Sequence, residues 1–351
     1  MEIYIIVLVL FFFFSISEPF LRKTNSVDQT FFWMLFVILW LLAGLRYDVG
    51  VDYMTYRDIY ESSGDIREML EIGFVGIIKL FNLLELPFSV FTTCYSFLTI
   101  LLVFHFIRKY SPYLYLSVFI YYAIGNYYFS SFNSMRQSLA TAIFMNCLPL
   151  VSNKKFWKYL LVLLTTSFCV HFSSLILIPL YFVLNRKLSL FFKLSVIIFT
   201  ICFGASAITI IEISPYAVYL TFEKFASEVP LTYYLIGLIA LIVFVYGLLH
   251  PEWERQYLIL SNVNFVVILL LCLIFQYENT PLVMVFNRLL YFFTLIYIVV
   301  LPLLYAEMRI SSNRKIFIII TSCLFGILSY VALVQNVERS NMVPYKTIFN
   351  Q

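Results

Sequence analysis

Residues 156–187 read FWKYLLVLLTTSFCVHFSSLILIPLYFVLNRK, an apolar run long for one membrane crossing and short for two. A hydrocarbon core of roughly 30 Å takes about 20 apolar residues as a single helix. Charge decides between the two readings, because Lys and Arg collect in short cytoplasmic loops. A hairpin keeps Lys154, Lys155 and Lys158 on the same side as Arg186, Lys187 and Lys193, whereas a single span sends the last three across. The hairpin also groups them with Arg22, Lys23, Arg108, Lys109, Arg255, Arg309, Arg314 and Lys315, most of the 23 Lys and Arg of the chain. The stretch is therefore read as a broken or V-shaped pair of short helices. Its tip, near His171, faces the outer side.

The rest of the chain fits that frame. Its 351 residues are 62% hydrophobic and only 12% charged, with a mean hydropathy of +0.93, where a soluble domain carries about a quarter charged residues. The fold class is all-α, a polytopic integral membrane protein in one membrane domain over 1–351. Spans are expected over 3–17, 30–45, 88–107, 112–129, 134–151, 156–170, 172–184, 190–212, 231–249, 257–276, 284–305 and 316–334, about twelve transmembrane helices, some short or broken. Counting 72–84 as a crossing would send Arg108 and Lys109 outside. Residues 46–86 are therefore read as an outer-face loop with a re-entrant or interfacial helix. The first apolar run lacks a basic start and a small-residue cleavage pattern, which marks it as a retained span. The six cysteines lie scattered in apolar runs without a CxxC pair and suggest neither disulfides nor a metal. The hydrophilic stretches 46–71 and 335–351 both fall outside, and chemistry is expected on that side.

Four outward clusters could carry it. GLRYDVGVDYMTYR (44–57) holds Arg46, Asp48, Asp52, Tyr53, Tyr56 and Arg57, with Gly44 and Gly50 permitting unusual backbone angles. An ordinary solvated loop is the bland alternative. SSFNSMRQSLATA (130–142) sets Arg136 at a helix start beside Asn133 and Gln137, with Ser134 placed to cap it. Charge and helix dipole there suit an anion, although an arginine also anchors helices at the interface. CVHFSS (169–174) contains His171, the one outward histidine of three. VFNRLLYFF (285–293) carries Asn287, Arg288 and Tyr291 one to two turns into a span. A charge at that depth costs at least ~2.5 kcal/mol unless it meets a cavity or an anionic partner. A structural ion pair with Glu278 or Asp52 would serve as well.

Arg46, Arg136 and Arg288 are thus expected at one depth on one side, around an outward-facing polar cavity. Guanidinium forks match phosphate oxygens with paired charge-assisted hydrogen bonds, so a lipid-linked phosphate or diphosphate is the expected ligand. Tyr121, Tyr127, Tyr128 and Phe132 are placed to stack on sugar faces. Only Asp48 and Asp52 cluster as carboxylates, so no metal and no cofactor are expected.

The stretches GLRYDVGVDYMTY, FNSMRQSLATAIF, VHFSSLILIP, NRLLYFF and PYKTIF, in that order between about residues 44 and 349, resemble the EpsG family, which includes many Wzy-type O-antigen and capsule polymerases. The resemblance implies a bacterial inner-membrane glycosyltransferase of O-antigen, capsule or exopolysaccharide biosynthesis. Such an enzyme joins undecaprenyl-diphosphate-linked oligosaccharide repeat units on the periplasmic face. Its implied partners are that substrate, membrane lipid and a chain-length regulator protein, with no nucleic acid. The polar positions of the family fall on Arg46, Gly50, Asp52, Tyr53, Tyr56, Arg136, Gln137, His171, Asn287, Arg288 and Tyr291. His171 or Asp52 would be the base and Arg288 the catalytic cation. Arg46, Tyr53, Tyr56, Arg136, Gln137, Asn287 and Tyr291 would bind substrate. A flippase for the same lipid-linked unit and a membrane acyltransferase modifying the polysaccharide are the alternatives.

Overall fold

A computed structural model of the chain describes all residues except 22–24, 64–69, 126, 207–208, 210–211, 214–216, 218–228, 309–310, 336–340 and 350–351. Arg22, Lys23, Arg309 and the later part of the expected 190–212 span therefore lie largely outside the described residues. Helices α1 (Glu2–Leu21), α2 (Asn25–Gly44), α3 (Tyr53–Glu61), α4 (Ile72–Leu83), α5 (Phe88–Tyr110), α6 (Leu114–Ala123), α7 (Ser130–Asn133), α8 (Met135–Ser152) and α9 (Phe156–Cys169) lead to a break at His171. A 3₁₀ turn (Phe172–Leu177), α10 (Tyr181–Leu184) and α11 (Leu190–Phe203) follow. Then come α12 (Leu231–Leu249), α13 (Pro251–Gln256), α14 (Leu258–Gln276), α15 (Leu282–Thr294), α16 (Tyr297–Glu307) and α17 (Ser311–Gln335). No strand occurs among the described residues.

Five of these helices, α1, α5, α12, α14 and α17, are long and apolar enough to cross a membrane, and α15 with α16 makes a sixth if read as one broken span. The chain is a multi-pass membrane protein. The other expected crossings fall largely on shorter helices, among them α6, α9 and α11. In α6 every residue from Tyr115 to Ala123 is buried. A helix apolar all round is either lipid-facing or core, and composition does not separate the two. The expected pair around His171 is a hairpin: the Tyr159 hydroxyl on α9 donates to the Leu177 carbonyl at 2.6 Å, so the chain doubles back.

The described residues group into two compact units. The first comprises Met1–Cys147, Trp157–Ile178 and Tyr297–Gln351, and the second Leu148–Phe156 and Pro179–Ile296. In the first, α2 lies along α5, and α1 along α6 and α17. Lipid supplies no hydrogen bonds, so polar groups are satisfied between helices: Ser15 bonds Ser322 at 2.8 Å, and the Tyr122 and Tyr128 hydroxyls reach the Tyr4 and Leu39 carbonyls, each at 2.8 Å. In the second unit α14 packs on α10, α11, α12 and α15. There the Asn262 amide donates to the Leu184 and Arg186 carbonyls at 2.9 Å, satisfying acceptors that α10 leaves open.

The first unit has two chemically distinct ends. At one, Lys315 sits 4.5 Å over the Phe20 ring, Arg108 6.0 Å over Trp33, and Glu18 accepts from the Leu116 N–H. At the other, residues 341–348 are laced onto 42–50. Tyr47 N–H donates to Lys346 O, Ile348 N–H to Leu45 O and Gly50 N–H to Asn341 O, while the Tyr345 hydroxyl reaches Leu42 O and the Tyr4 hydroxyl Met342 O. The two hydrophilic stretches expected on one side thus share an end, away from Arg108 and Lys315. An impermeant thiol reagent applied to intact cells is expected to label a cysteine placed at Asn341 and to miss one at Lys155. Labelling of Lys155→Cys from outside would reverse the assigned sidedness.

Candidate functional site

Gly50 adopts φ +99°, and a Cβ there would lie 2.8 Å from Asn133 Oδ1, so only glycine fits. The turn it makes lets the Val51 N–H donate to that same Asn133 oxygen at 2.8 Å. Gly44 serves differently: a Cβ there would meet Thr93 Cα at 3.0 Å, so its small size brings α2 against α5. Between them Arg46 is almost fully buried, with its guanidinium donating to the Ala43 and Phe132 carbonyls and lying 4.6 Å over the Phe132 ring and 5.8 Å from that of Tyr53. The first stretch is thereby bolted to the 132–136 stretch and to the tail at 341–348.

The charged centre of this unit lies at Glu71, the residue before α4. The Arg136 guanidinium, at the start of α8, donates to Glu71 Oε2. The other oxygen, Oε1, accepts the Phe172 N–H at 2.9 Å and faces His171 Nδ1 at 3.3 Å. Arg136 also bonds the Tyr56 hydroxyl from α3 and lies 5.3 Å over the Phe74 ring of α4. Burial alone would raise the Glu71 carboxyl, but the His171 hydrogen bond, the Arg136 charge and the Phe172 N–H outweigh it and bring it down to about 2. The Glu71 side chain keeps 7% of its surface exposed, His171 16% and Arg136 21%. The cluster is therefore sheltered yet reachable.

Local sequence explains why these groups meet. The chain breaks after Cys169, and His171 takes extended backbone angles before the 3₁₀ turn, which frees the Phe172 N–H for the carboxylate. Gly73, the second residue of α4, is the contact point with α9: a Cβ on it would lie 2.7 Å from Cys169 Cα. Without that glycine α4 could not approach, and Glu71 could not reach His171. Around the cluster, Arg136 Nε, the Tyr95 hydroxyl and the Ser174 hydroxyl are buried with no hydrogen-bond partner in the structure. Tyr95 lies within electrostatic reach of Tyr56, Arg136 and Glu71.

Of the residues expected from the sequence, the structure brings Tyr56, Arg136 and His171 together, and Arg46 with Tyr53 at the neighbouring turn. Gln137 is buried beside Arg136 in sequence. Asp52 is exposed at the start of α3, and the carboxylate that actually contacts His171 and Arg136 is Glu71. Asn287, Arg288 and Tyr291 lie on α15 in the second unit, all half-buried, with Asn287 accepting from the Tyr233 hydroxyl. Two expectations change. The four aromatics read as a sugar-stacking surface, Tyr121, Tyr127, Tyr128 and Phe132, are at most 2% exposed and form core. The neutral-looking helix over 72–84 carries at its start the carboxylate the sequence reading passed over. Its signal is an acid heading an apolar helix read as lying on the outer face.

A profile of the EpsG family matches residues 29–347, nearly the whole chain. No curated protein and no solved structure matches it.

Proposed function

The chain belongs to the EpsG family, polytopic membrane proteins associated with polysaccharide polymerases, and from that premise we propose that this membrane protein of polysaccharide biosynthesis is itself a Wzy-type polymerase. Its substrate is an oligosaccharide repeat unit carried on undecaprenyl diphosphate, taken at the periplasmic face of the inner membrane. The observation that carries the reading is the meeting of Arg136 and His171 on one carboxylate. Polymerisation needs a base at the attacking sugar hydroxyl and positive charge on the departing diphosphate, and these two side chains supply both at adjoining positions.

In this reading the acceptor hydroxyl attacks the anomeric carbon of the donor chain. The hydroxyl proton passes to His171, the new glycosidic bond forms, and the bond from that carbon to the diphosphate oxygen breaks, its electron pair leaving with undecaprenyl diphosphate. Arg136 stabilises the growing negative charge. Asp52 is the second base candidate. Arg46, Tyr53, Tyr56 and Gln137 shape the substrate face of the first unit. Arg288, with Asn287 and Tyr291 on α15 of the second unit, is a further cationic residue proposed to act in polymerisation. A chain-length regulator protein is the proposed partner.

Deleting the gene from its host is expected to leave surface material of single repeat units. A flippase deletion would leave almost none, and loss of an acyltransferase would leave full-length chains lacking a substituent. Complementation with Arg288→Ala is expected to restore little polymer, and normal long chains from that allele would show that Arg288 takes no part in polymerisation.

A further inference from the structure

We infer that Glu71 is the positioning residue of this site, one carboxylate that sets both the tautomer of the histidine base and the place of the arginine beside it. The inference rests on the polymerase reading for its consequence and on geometry for its content. An imidazole works as a base through one ring nitrogen only if the other carries the proton, and which nitrogen that is follows from the hydrogen bond the ring makes. His171 presents Nδ1 to Glu71 Oε1 at 3.3 Å. A carboxylate accepts and never donates there, so this contact places the proton on Nδ1 and makes Nε2 the basic nitrogen.

Three features fix the carboxylate itself. The Phe172 N–H bonds the same oxygen at 2.9 Å, Arg136 holds the other, and Gly73 admits α4 close enough to α9 for the contact to exist. With its oxygens occupied by these donors, Glu71 is a poor proton acceptor in its own right, which separates its role from that of the base. The arrangement also ties the acceptor side of the reaction to the leaving-group side: His171 and Arg136 sit on the two oxygens of one rigid group, so neither can drift without the other.

Glu71→Gln tests this, since the amide has nearly the same shape but a single oxygen, so it cannot accept both from Arg136 and from His171 with the Phe172 N–H. In the host lacking its own copy, the variant is expected to lower chain extension about 10²- to 10⁴-fold at matched protein level, as loss of an orienting carboxylate does for a histidine base. In parallel, nitrogen-15 spectra of histidine-labelled protein in lipid nanodiscs, under mildly alkaline conditions, report the tautomer directly. With three histidines in the chain, the His171 signals are identified by their loss in His171→Asn. The wild type is expected to show Nδ1 protonated, and Glu71→Gln to show a mixture of the two tautomers. If Glu71→Gln fails to accumulate, Glu71→Asp keeps the charge for Arg136 and withdraws it from His171, and is expected to give shortened chains and a mixed tautomer. Normal chains from Glu71→Gln while His171→Asn abolishes them would overturn the inference and leave the polymerase reading standing. An unchanged tautomer would overturn it too. Long chains in both His171→Asn and the deletion strain would instead sink the polymerase reading.

Discussion

Replacing Arg136 with alanine is expected to cut chain extension by about 10²- to 10³-fold, the usual cost of removing a preorganised donor from a site where negative charge develops. The change has a second consequence, because Glu71 would keep its charge while losing its main cationic partner. Breaking a buried ion pair from one side costs about 3–5 kcal/mol, enough to lower the amount of protein in the membrane. Arg136→Lys separates the two effects. It retains the positive charge beside Glu71, so protein should accumulate normally, but a compact ammonium cannot hold Glu71, Tyr56 and a phosphate with one planar fork. Chain extension should then remain well below wild type at equal protein. Normal chain lengths from Arg136→Lys would show that charge alone suffices, and normal chains from Arg136→Ala would take the residue out of the chemistry.

Gly73→Ala is expected to have an effect of similar size without altering any polar group. The added Cβ would come within 2.7 Å of Cys169 Cα and 2.6 Å of its Sγ, and backbone cannot yield as a flexible side chain would. The overpacking costs about 1–3 kcal/mol. More important is its direction, since α4 must retreat from α9 and carry Glu71, two residues before, away from His171 and the Phe172 N–H. A displacement near 1 Å in a reacting constellation costs about 10²-fold in rate, and chains should shorten accordingly. Gly76 lies on the same helix with nothing within 4 Å of its would-be Cβ. Gly76→Ala should therefore leave chain length unchanged and make the helix more stable by about 1 kcal/mol. Equal behaviour of the two variants would show that close approach at Gly73 is not what holds the site.

Much of this protein was legible in its residues. The low charge and long apolar runs made it a polytopic helical membrane protein, because nothing else buries such a composition. The lysines and arginines around 154–158 and 186–193 required the chain to double back at His171, and the Tyr159–Leu177 hydrogen bond is that hairpin. Arg136 and His171 stood out as an anion holder and a base on one side, and Arg288 as a charge whose depth needs a reason. Tertiary structure alone decided what those residues meet. Tyr121, Tyr127, Tyr128 and Phe132 are apolar enough for a ligand surface or a core, and only the packing that covers them makes them core. Arg46 and Arg136 look alike in sequence, yet one is enclosed against backbone carbonyls and the other holds a carboxylate. Glu71 lies 65 positions from Arg136 and 100 from His171. Hydropathy and periodicity act over a few turns, whereas that meeting depends on a glycine that lets two helices touch.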